Sequence, residues 1–202
     1  MTITHPSNDP DLPGLIDRCL AGDQEAFALL YERYAASLYR LAYSVLLVEQ
    51  DAEDVLQESL VYAFRNLRNY DPARGAFRTW LYTITVSRCR NARRRKWLPT
   101  VALSNLLSVG IEPSAPEDES PEIKAAWQEV REALGRALQT LSPRLREAIA
   151  LRYGQGLTYR EMAEIIGCPQ KTAESRVRLA HEQLRKAMSA ADRSALEELW
   201  SI

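Results

Sequence analysis

The segment GLTYREMAEIIGCPQKTAESRVRLAHEQLR, residues 156–185, constrains the fold more than any other, because it spells two short helices around a tight turn. Thr158 stands at an N-cap position with Glu161 three residues on, the capping-box pattern. Met162, Ala163, Ile165 and Ile166 give an apolar face, and Gly167 ends the helix where a positive φ is tolerated. Cys168-Pro169 turns the chain into a second helix carrying Lys171, Arg176, Arg178, Arg185 and Lys186. Ala163, four residues before Gly167, leaves room for two helices to cross closely, as in a helix-turn-helix whose second helix reads a major groove. The plainer alternative is a helical hairpin with a basic, solvated face.

A chain of 202 residues can bury one ordinary core or two small ones. No apolar run approaches the length of a membrane span, and residues 1–13 lack a signal peptide's charged start and apolar middle, so a cytoplasmic location is expected, without membrane insertion. Cys19, Cys89 and Cys168 are far apart and form no CxxC, which suits buried apolar packing rather than a disulfide framework or zinc site.

The net charge of −1 hides a partition. Residues 78–97 hold six arginines and one lysine with no acid, whereas residues 112–122 hold five acids and no base. Such blocks form functional surfaces or tails more often than core. From Pro99 to Pro121 the composition is that of a linker, which divides the chain. Upstream, Leu15 to Tyr34 suit one amphipathic segment broken near Gly22, and Leu38 to Leu47 a second helix. Ala52 to Leu67 make a third, and a turn at Asn69-Tyr70-Asp71-Pro72 precedes a basic helix from about Phe77 to Lys96. Downstream, Ile123 to Leu138 is helical, and Ser142-Pro143 reads as N-cap and N1 of the next helix. No alternating strand pattern competes. The expected fold is all-α, with two small helical domains joined by an acidic linker, the C-terminal one a helix-turn-helix.

Two helices carry chemistry of opposite sign. The basic one has Trp80 and Tyr82 near its start, with Phe77 and Trp97 at its ends. Arginines neutralise phosphates while aromatics stack on bases that leave the duplex, so the pairing suits melted DNA. Alternatively Trp80, Leu81 and Ile84 are simply the core face. On the third helix Asp51, Asp54 and Glu58 share a face with Gln57 beside them, and like charges so spaced destabilise an isolated helix. That face suits a basic partner; without a histidine among the carboxylates a metal is disfavoured, and neither a metal nor another cofactor is expected.

Together DAEDVLQE, FRTWLYTI with the arginine-rich helix behind it, the acidic linker and LSPRLREAIALRYGQGLTYREMAEIIG resemble, in this order, a bacterial extracytoplasmic function (ECF) sigma factor over roughly residues 14–190. The resemblance implies a promoter-recognition subunit that is not an enzyme, binds core RNA polymerase and promoter DNA, and, as such factors often do, has an anti-sigma partner. It implies polymerase contacts at Asp51, Asp54, Gln57 and Glu58. The loop Asn69–Ala76 would hold a flipped minus-ten base, with Asn69, Trp80, Ser87, Arg88, Asn91, Arg94 and Arg95 as the minus-ten contacts. Thr158, Gln170, Lys171, Thr172, Ser175 and Arg176 would meet the minus-thirty-five element. The domains would be residues 14–97 and 122–190, joined by a linker at 98–121 and flanked by a disordered tail at 1–13 and an extension at 191–202. The chain departs from the family's usual residues at Ser87 and Asn91, at Lys171-Thr172-Ala173, and at Leu179 and His181. A free-standing helix-turn-helix regulator remains the alternative, although it leaves the acidic and aromatic-basic helices unassigned. Nothing in the sequence forms a nucleophile–base set or a phosphate-binding glycine loop.

Overall fold

A computed structural model describes residues 11–97 and 132–189, and every regular element among them is a helix. The start of the expected N-terminal tail, the linker at 98–121, the helix start at Ile123 and the extension at 191–202 lie outside the described residues.

Helix α1 (Leu12–Leu20) turns into α2 (Gln24–Leu46) through Gly22 at φ 90, the break expected there. Asp23 caps α2 by accepting from the amides of Glu25 (3.0 Å) and Ala26 (3.3 Å), which satisfies donors that a helix start otherwise leaves open. The spacing predicts two helices between residues 24 and 47, but the structure has one. Tyr34-Ala35-Ala36-Ser37 contains strong helix formers and no glycine or proline, so nothing stops propagation through the join. Leu47, at φ 58, ends α2 in the left-handed conformation.

Helices α3 (Glu49–Arg65) and α4 (Phe77–Trp97) pack against α2, with the short 3-10 turn Leu67–Asn69 between them. Leu30, Tyr34, Leu38 and Leu41 of α2, Val55 and Leu60 of α3, and Phe77 and Leu81 of α4 meet in the core, each at most 3 % exposed. Burying one such side chain contributes roughly 1.5–3 kcal/mol before chain entropy is counted. Edge-to-face contacts of Phe77 with Tyr34 (5.4 Å) and Tyr70 (5.0 Å) fix the start of α4 against α2.

In the second half the first described helix covers residues 132–140 (α5). Helix α6 (Pro143–Ile149) has Ser142 as N-cap and proline in its first turn, as read from the sequence. It runs on into a π-helical turn, Ala150–Gly154, which the apolar spacing does not disclose. Helices α7 (Tyr159–Ile166) and α8 (Gln170–Ala187) form the helix-turn-helix. Both halves of the capping box are present: the Glu161 amide donates to the Thr158 hydroxyl (3.3 Å), and the Glu161 carboxylate accepts from the Thr158 amide (2.8 Å). Gly167, at φ 74, closes α7, its amide donating to the Ala163 carbonyl (2.9 Å).

The expected division into two domains coexists with close packing. One continuous apolar cluster runs from Leu15 through Cys89 to Ala148, Leu157, Met162 and Val177, so the halves share a core. A smaller cluster, including Leu141, Leu145, Ala180 and Leu184, belongs to the second half alone.

Candidate nucleic-acid interface

Helix α4 is amphipathic in a way its composition conceals. Leu81, Ile84, Val86 and Cys89 face inward, and burial pushes the Cys89 thiol up to about 12, which keeps it protonated and inert. The outer side presents Ser87, Arg94 and Arg95 fully and Arg88 and Asn91 partly. The aromatics divide. Phe77 and Tyr82 are buried, so Tyr82 cannot offer a ring to a base in this arrangement. Trp80 is half-buried, tilted against Tyr70 (5.6 Å) and Phe77 (5.5 Å), partly packed on the core and partly at the surface. The Trp97 side chain lies outside the described residues.

Beside Trp80 a cleft of about 410 Å³ is lined by Asn69, Tyr70, Asp71, Arg74, Thr79, Trp80 and Thr83. Its walls are held locally. The Tyr70 hydroxyl donates to the Gly75 carbonyl (3.2 Å), and the Ala73 amide donates to the Asp71 carboxylate (2.9 Å), which fixes the turn after Pro72. Asn69 is exposed at the rim, and its side-chain amide lies 3.4 Å from the Asn66 oxygen. A polar, aromatic-walled cleft with this lining can accept an unstacked base.

The acidic face of α3 is only partly an outward surface. Asp54 and Gln57 are exposed and Asp51 is half-buried. Glu58 turns toward α4, where Arg95 donates to both of its oxygens (3.0 and 3.2 Å) and Arg88 lies 3.9 Å away. The local sequence has no base before Arg65, so the cations that relieve the repulsion come from another helix, with Arg95 37 residues on. Arg88 also sits over the Tyr62 ring (4.7 Å). Among the described residues no group of three histidines, cysteines or acids is placed to hold a metal.

On the recognition helix, Gln170 and Lys171 are exposed and Thr172, Ser175 and Arg176 half-exposed. The Gln170 amide donates to Glu174 (2.9 Å), one turn along. Thr158 is exposed at the start of α7. The His181 Nε2 pairs with the Tyr153 hydroxyl (2.7 Å), and burial followed by the nearby Arg185 lowers its pKa.

Contacts between the halves escape sequence reasoning. Arg90 of α4 makes a two-pronged bond to Glu147 of α6 (Nε to Oε1 3.1 Å, Nη2 to Oε2 2.8 Å) and reaches the Ile166 carbonyl at the end of α7 (3.3 Å). Glu147 is 1 % exposed, and its carboxylate holds the Arg90 pKa above the ordinary value despite partial burial. Arg78 donates to Glu161 (2.9 Å). Partial burial opposes ionisation of Glu161, but the bonds from Thr158 and Arg78 outweigh it and hold its pKa below the usual range. The Tyr82 hydroxyl donates to Gln155 (2.8 Å), whose amide reaches the Ser37 carbonyl (3.4 Å). One signal was available: Glu147 sits among Leu145, Ala148, Ile149 and Leu151, in an apolar helical spacing that implies burial and therefore a partner.

The fold is thus an all-α pair of nucleic-acid-binding units, one with an aromatic and arginine-rich helix, the other a helix-turn-helix. Residues 30–98 match the family model for sigma-70 region 2, and residues 131–184 match that for sigma-70 region 4. The RNA polymerase sigma-H factor of Pseudomonas aeruginosa is 33% identical over 187 residues, covering 90% of this chain and 95% of that protein. The ECF RNA polymerase sigma-E factor of Escherichia coli K12 is 36% identical over 179 residues, covering 84% and 90%. Two solved structures share the fold at 26% identity. CnrH in complex with the cytosolic domain of CnrY covers 86% of this chain and 94% of its own at a TM-score of 0.59. The sigma factor RpoE in complex with the anti-sigma factor NepR, from Bartonella quintana, covers 80% and 95% at 0.61. The chain belongs to the ECF sigma factors of the sigma-70 family. It is accordingly an RNA polymerase sigma factor, a transcription initiation factor and not an enzyme. No helix among the described residues is long and apolar enough to cross a membrane.

Proposed function

We propose that residues 14–97 form the unit that engages core RNA polymerase and opens the minus-ten element, and residues 122–190 the unit that reads the minus-thirty-five element, with 98–121 as the linker. The observation that carries this reading is the single outer surface of α4. Ser87, Arg88, Asn91, Arg94 and Arg95 run along it toward the Trp80 cleft with Asn69 at its rim. Arginines along the helix suit phosphates, and the cleft suits a base that has left the stack. Asp54 and Gln57 present the acidic face to a basic polymerase surface, flanked by Asp51 and Glu58. On α8, Gln170, Lys171, Thr172, Ser175 and Arg176 lie on the first two turns, the part of a recognition helix that reaches base edges, while Thr158 stands where a helix start meets a phosphate. We also place the protein in the cytoplasm with its polymerase. The complex of RpoE with the anti-sigma factor NepR supports an anti-sigma partner.

Run-off transcription with core polymerase on genomic fragments tests the whole reading, with Asp54→Arg as the control. The wild-type chain should direct discrete transcripts. Asp54→Arg should lose polymerase pull-down with unchanged circular dichroism, since Asp54 is exposed and supports no core contact. Retained pull-down removes the acidic face from the polymerase interface. A chain that binds duplex sites alone and gives no transcripts would instead be a free-standing regulator.

A further inference from the structure

Arg93 of α4 and Arg144 and Arg146 of α6 belong to neither the promoter nor the polymerase surface. Arg93 and Arg144 line a cavity of about 850 Å³, together with Arg90, Arg94 and Arg176. Against these five guanidiniums the lining sets two carboxylates, Asp51 and Glu147. Glu147 is already held by both prongs of Arg90, and Arg94 donates to the neutral Asn91 side chain. No described carboxylate pairs with Arg93, Arg144 or Arg176. Arg146 adds to the imbalance. Its Nε is buried without a hydrogen-bond partner among the described residues, and burial followed by the nearby Arg93 lowers its pKa. A concavity that collects like charges so closely raises its own electrostatic energy, and an anion entering it relieves that cost.

The lining also limits what the anion can be. A cavity of this volume falls in the roughly 300–1,000 Å³ class of small-molecule sites. A single phosphate group brings about −1.5 to −2 charges, too little for the guanidiniums left unpaired. A short chain of phosphates offers several of them a two-pronged partner. Leu46, Val48 and Ile166 add an apolar wall, with Ser87 and Asn91 as hydrogen-bonding groups on the same lining. Such a wall suits a flat ring carried by the phosphates, whereas a bare chain needs the arginines alone. We propose that this cavity is a binding site for a small polyphosphate, as the inorganic chain or as a nucleoside polyphosphate, held by Arg93, Arg94, Arg144 and Arg176. Arg94 and Arg176 also belong to the promoter surfaces proposed above, so the ligand and promoter DNA would compete for them. The binding itself does not rest on that reading.

Isothermal titration calorimetry on the full chain, without polymerase, DNA or magnesium, tests the site with inorganic tripolyphosphate, GTP and orthophosphate as probes. Tripolyphosphate should bind one to one and about tenfold or more tighter than orthophosphate, the effect of one further charge-assisted bond. GTP that binds more tightly than tripolyphosphate supports the site and makes the nucleotide the source, with the base on the apolar wall. Equal or weaker GTP binding supports it with the inorganic chain as the source. Arg93→Ala and Arg144→Ala should each weaken tripolyphosphate binding by about tenfold. Arg160→Ala removes the same charge from a side chain 84% exposed on α7, outside the cavity, and should leave binding unchanged. Arg144 is exposed in the first turn of α6, so its substitution carries the test if Arg93→Ala loses its helical circular dichroism. Absence of tripolyphosphate binding overturns the site. A loss in Arg160→Ala equal to that in Arg93→Ala also overturns it and leaves an adventitious ion only. A single-stranded oligonucleotide without terminal phosphates that binds as tightly, with the same dependence on Arg93 and Arg144, overturns the small-ligand reading and gives these arginines to the DNA backbone. No arm of the test involves polymerase, so the run-off test of the sigma function stands or falls separately.

Discussion

Arg90 and Arg95 occupy one helix, five residues apart, and both face a glutamate from another element, yet their surroundings set them different tasks. Arg90 meets a carboxylate that is 1% exposed and gains a backbone carbonyl as well. Arg95 is 62% exposed and meets Glu58 at 35% exposure, where water competes for every bond. In the first pair Glu147 has exchanged solvent for its partner, so removing Arg90 strands a buried carboxylate. In the second the exchange is incomplete and the pair is screened by salt. The arginine-rich helix is thus two surfaces in one: an inner edge that locks the halves, and an outer edge left available for a polyanion.

The largest effect should come from the inner edge. Arg90→Ala leaves Glu147 buried without its counter-charge, for which a loss of about 3 kcal/mol is expected, at the lower end for buried pairs because Arg90 itself is 38% exposed. Urea denaturation followed by circular dichroism measures it. A loss under about 0.5 kcal/mol, the range of a surface pair, would erase the distinction between the two edges.

Thr158→Ala should come next. It removes a hydroxyl that accepts from the Glu161 amide and donates to the Glu161 carboxylate (2.8 Å), and loss of an N-cap costs about 1 kcal/mol. The substitution also bears on pH. Because the folded chain holds the Glu161 pKa below its ordinary value, the associated stability is fully present above the usual glutamate range and is lost as pH falls through the lowered folded value. Weakening one of the bonds that hold it down should flatten that acid limb. A wild-type and variant with parallel stability profiles from pH 7 to about pH 3 would show that the backbone amide at position 158 and Arg78 set Glu161 without the hydroxyl.

What could be read in the sequence divides along the same line. The capping box, the Gly167 turn, the proline-started α6 and the inward side of α4 are local, encoded in residues one to four apart, and they stand where the spacing puts them. Glu147 with Arg90 and Tyr82 with Gln155 are separated by 57 and 73 residues, and no local period names either partner, although the apolar spacing around Glu147 implies that it has one. Tyr82 illustrates the consequence. From its neighbours it looks like a ring offered to DNA, yet the second half covers it and takes its hydroxyl. The continuity of α2 is hidden for a different reason: an apolar stripe drifts around a long helix, and the drift reads as a break when no breaker is present. Glu58 shows how a surface can be half legible, since its place on an acidic face was plain while the arginines that face it lie on another helix.

Glu58 supplies the smallest predicted effect on stability and the sharpest test of the outer edge. Replacing it with glutamine keeps its size and removes the charge that Arg95 and Arg88 share. Both arginines retain access to water, and Arg88 retains the Tyr62 ring, so the loss should stay within about 0.5 kcal/mol. Function should respond in two opposed ways. Polymerase affinity should fall if the carboxylate is offered to a basic partner, whereas DNA affinity should rise slightly once Arg88 and Arg95 no longer face an internal anion. Comparing core-polymerase pull-down with the salt dependence of single-stranded DNA binding separates the two: a variant that loses polymerase and keeps its DNA binding places Glu58 on the partner face. One that gains DNA affinity while polymerase binding stays unchanged makes Glu58 a positioning residue for the arginines, and leaves Asp54 and Gln57 as the acidic surface.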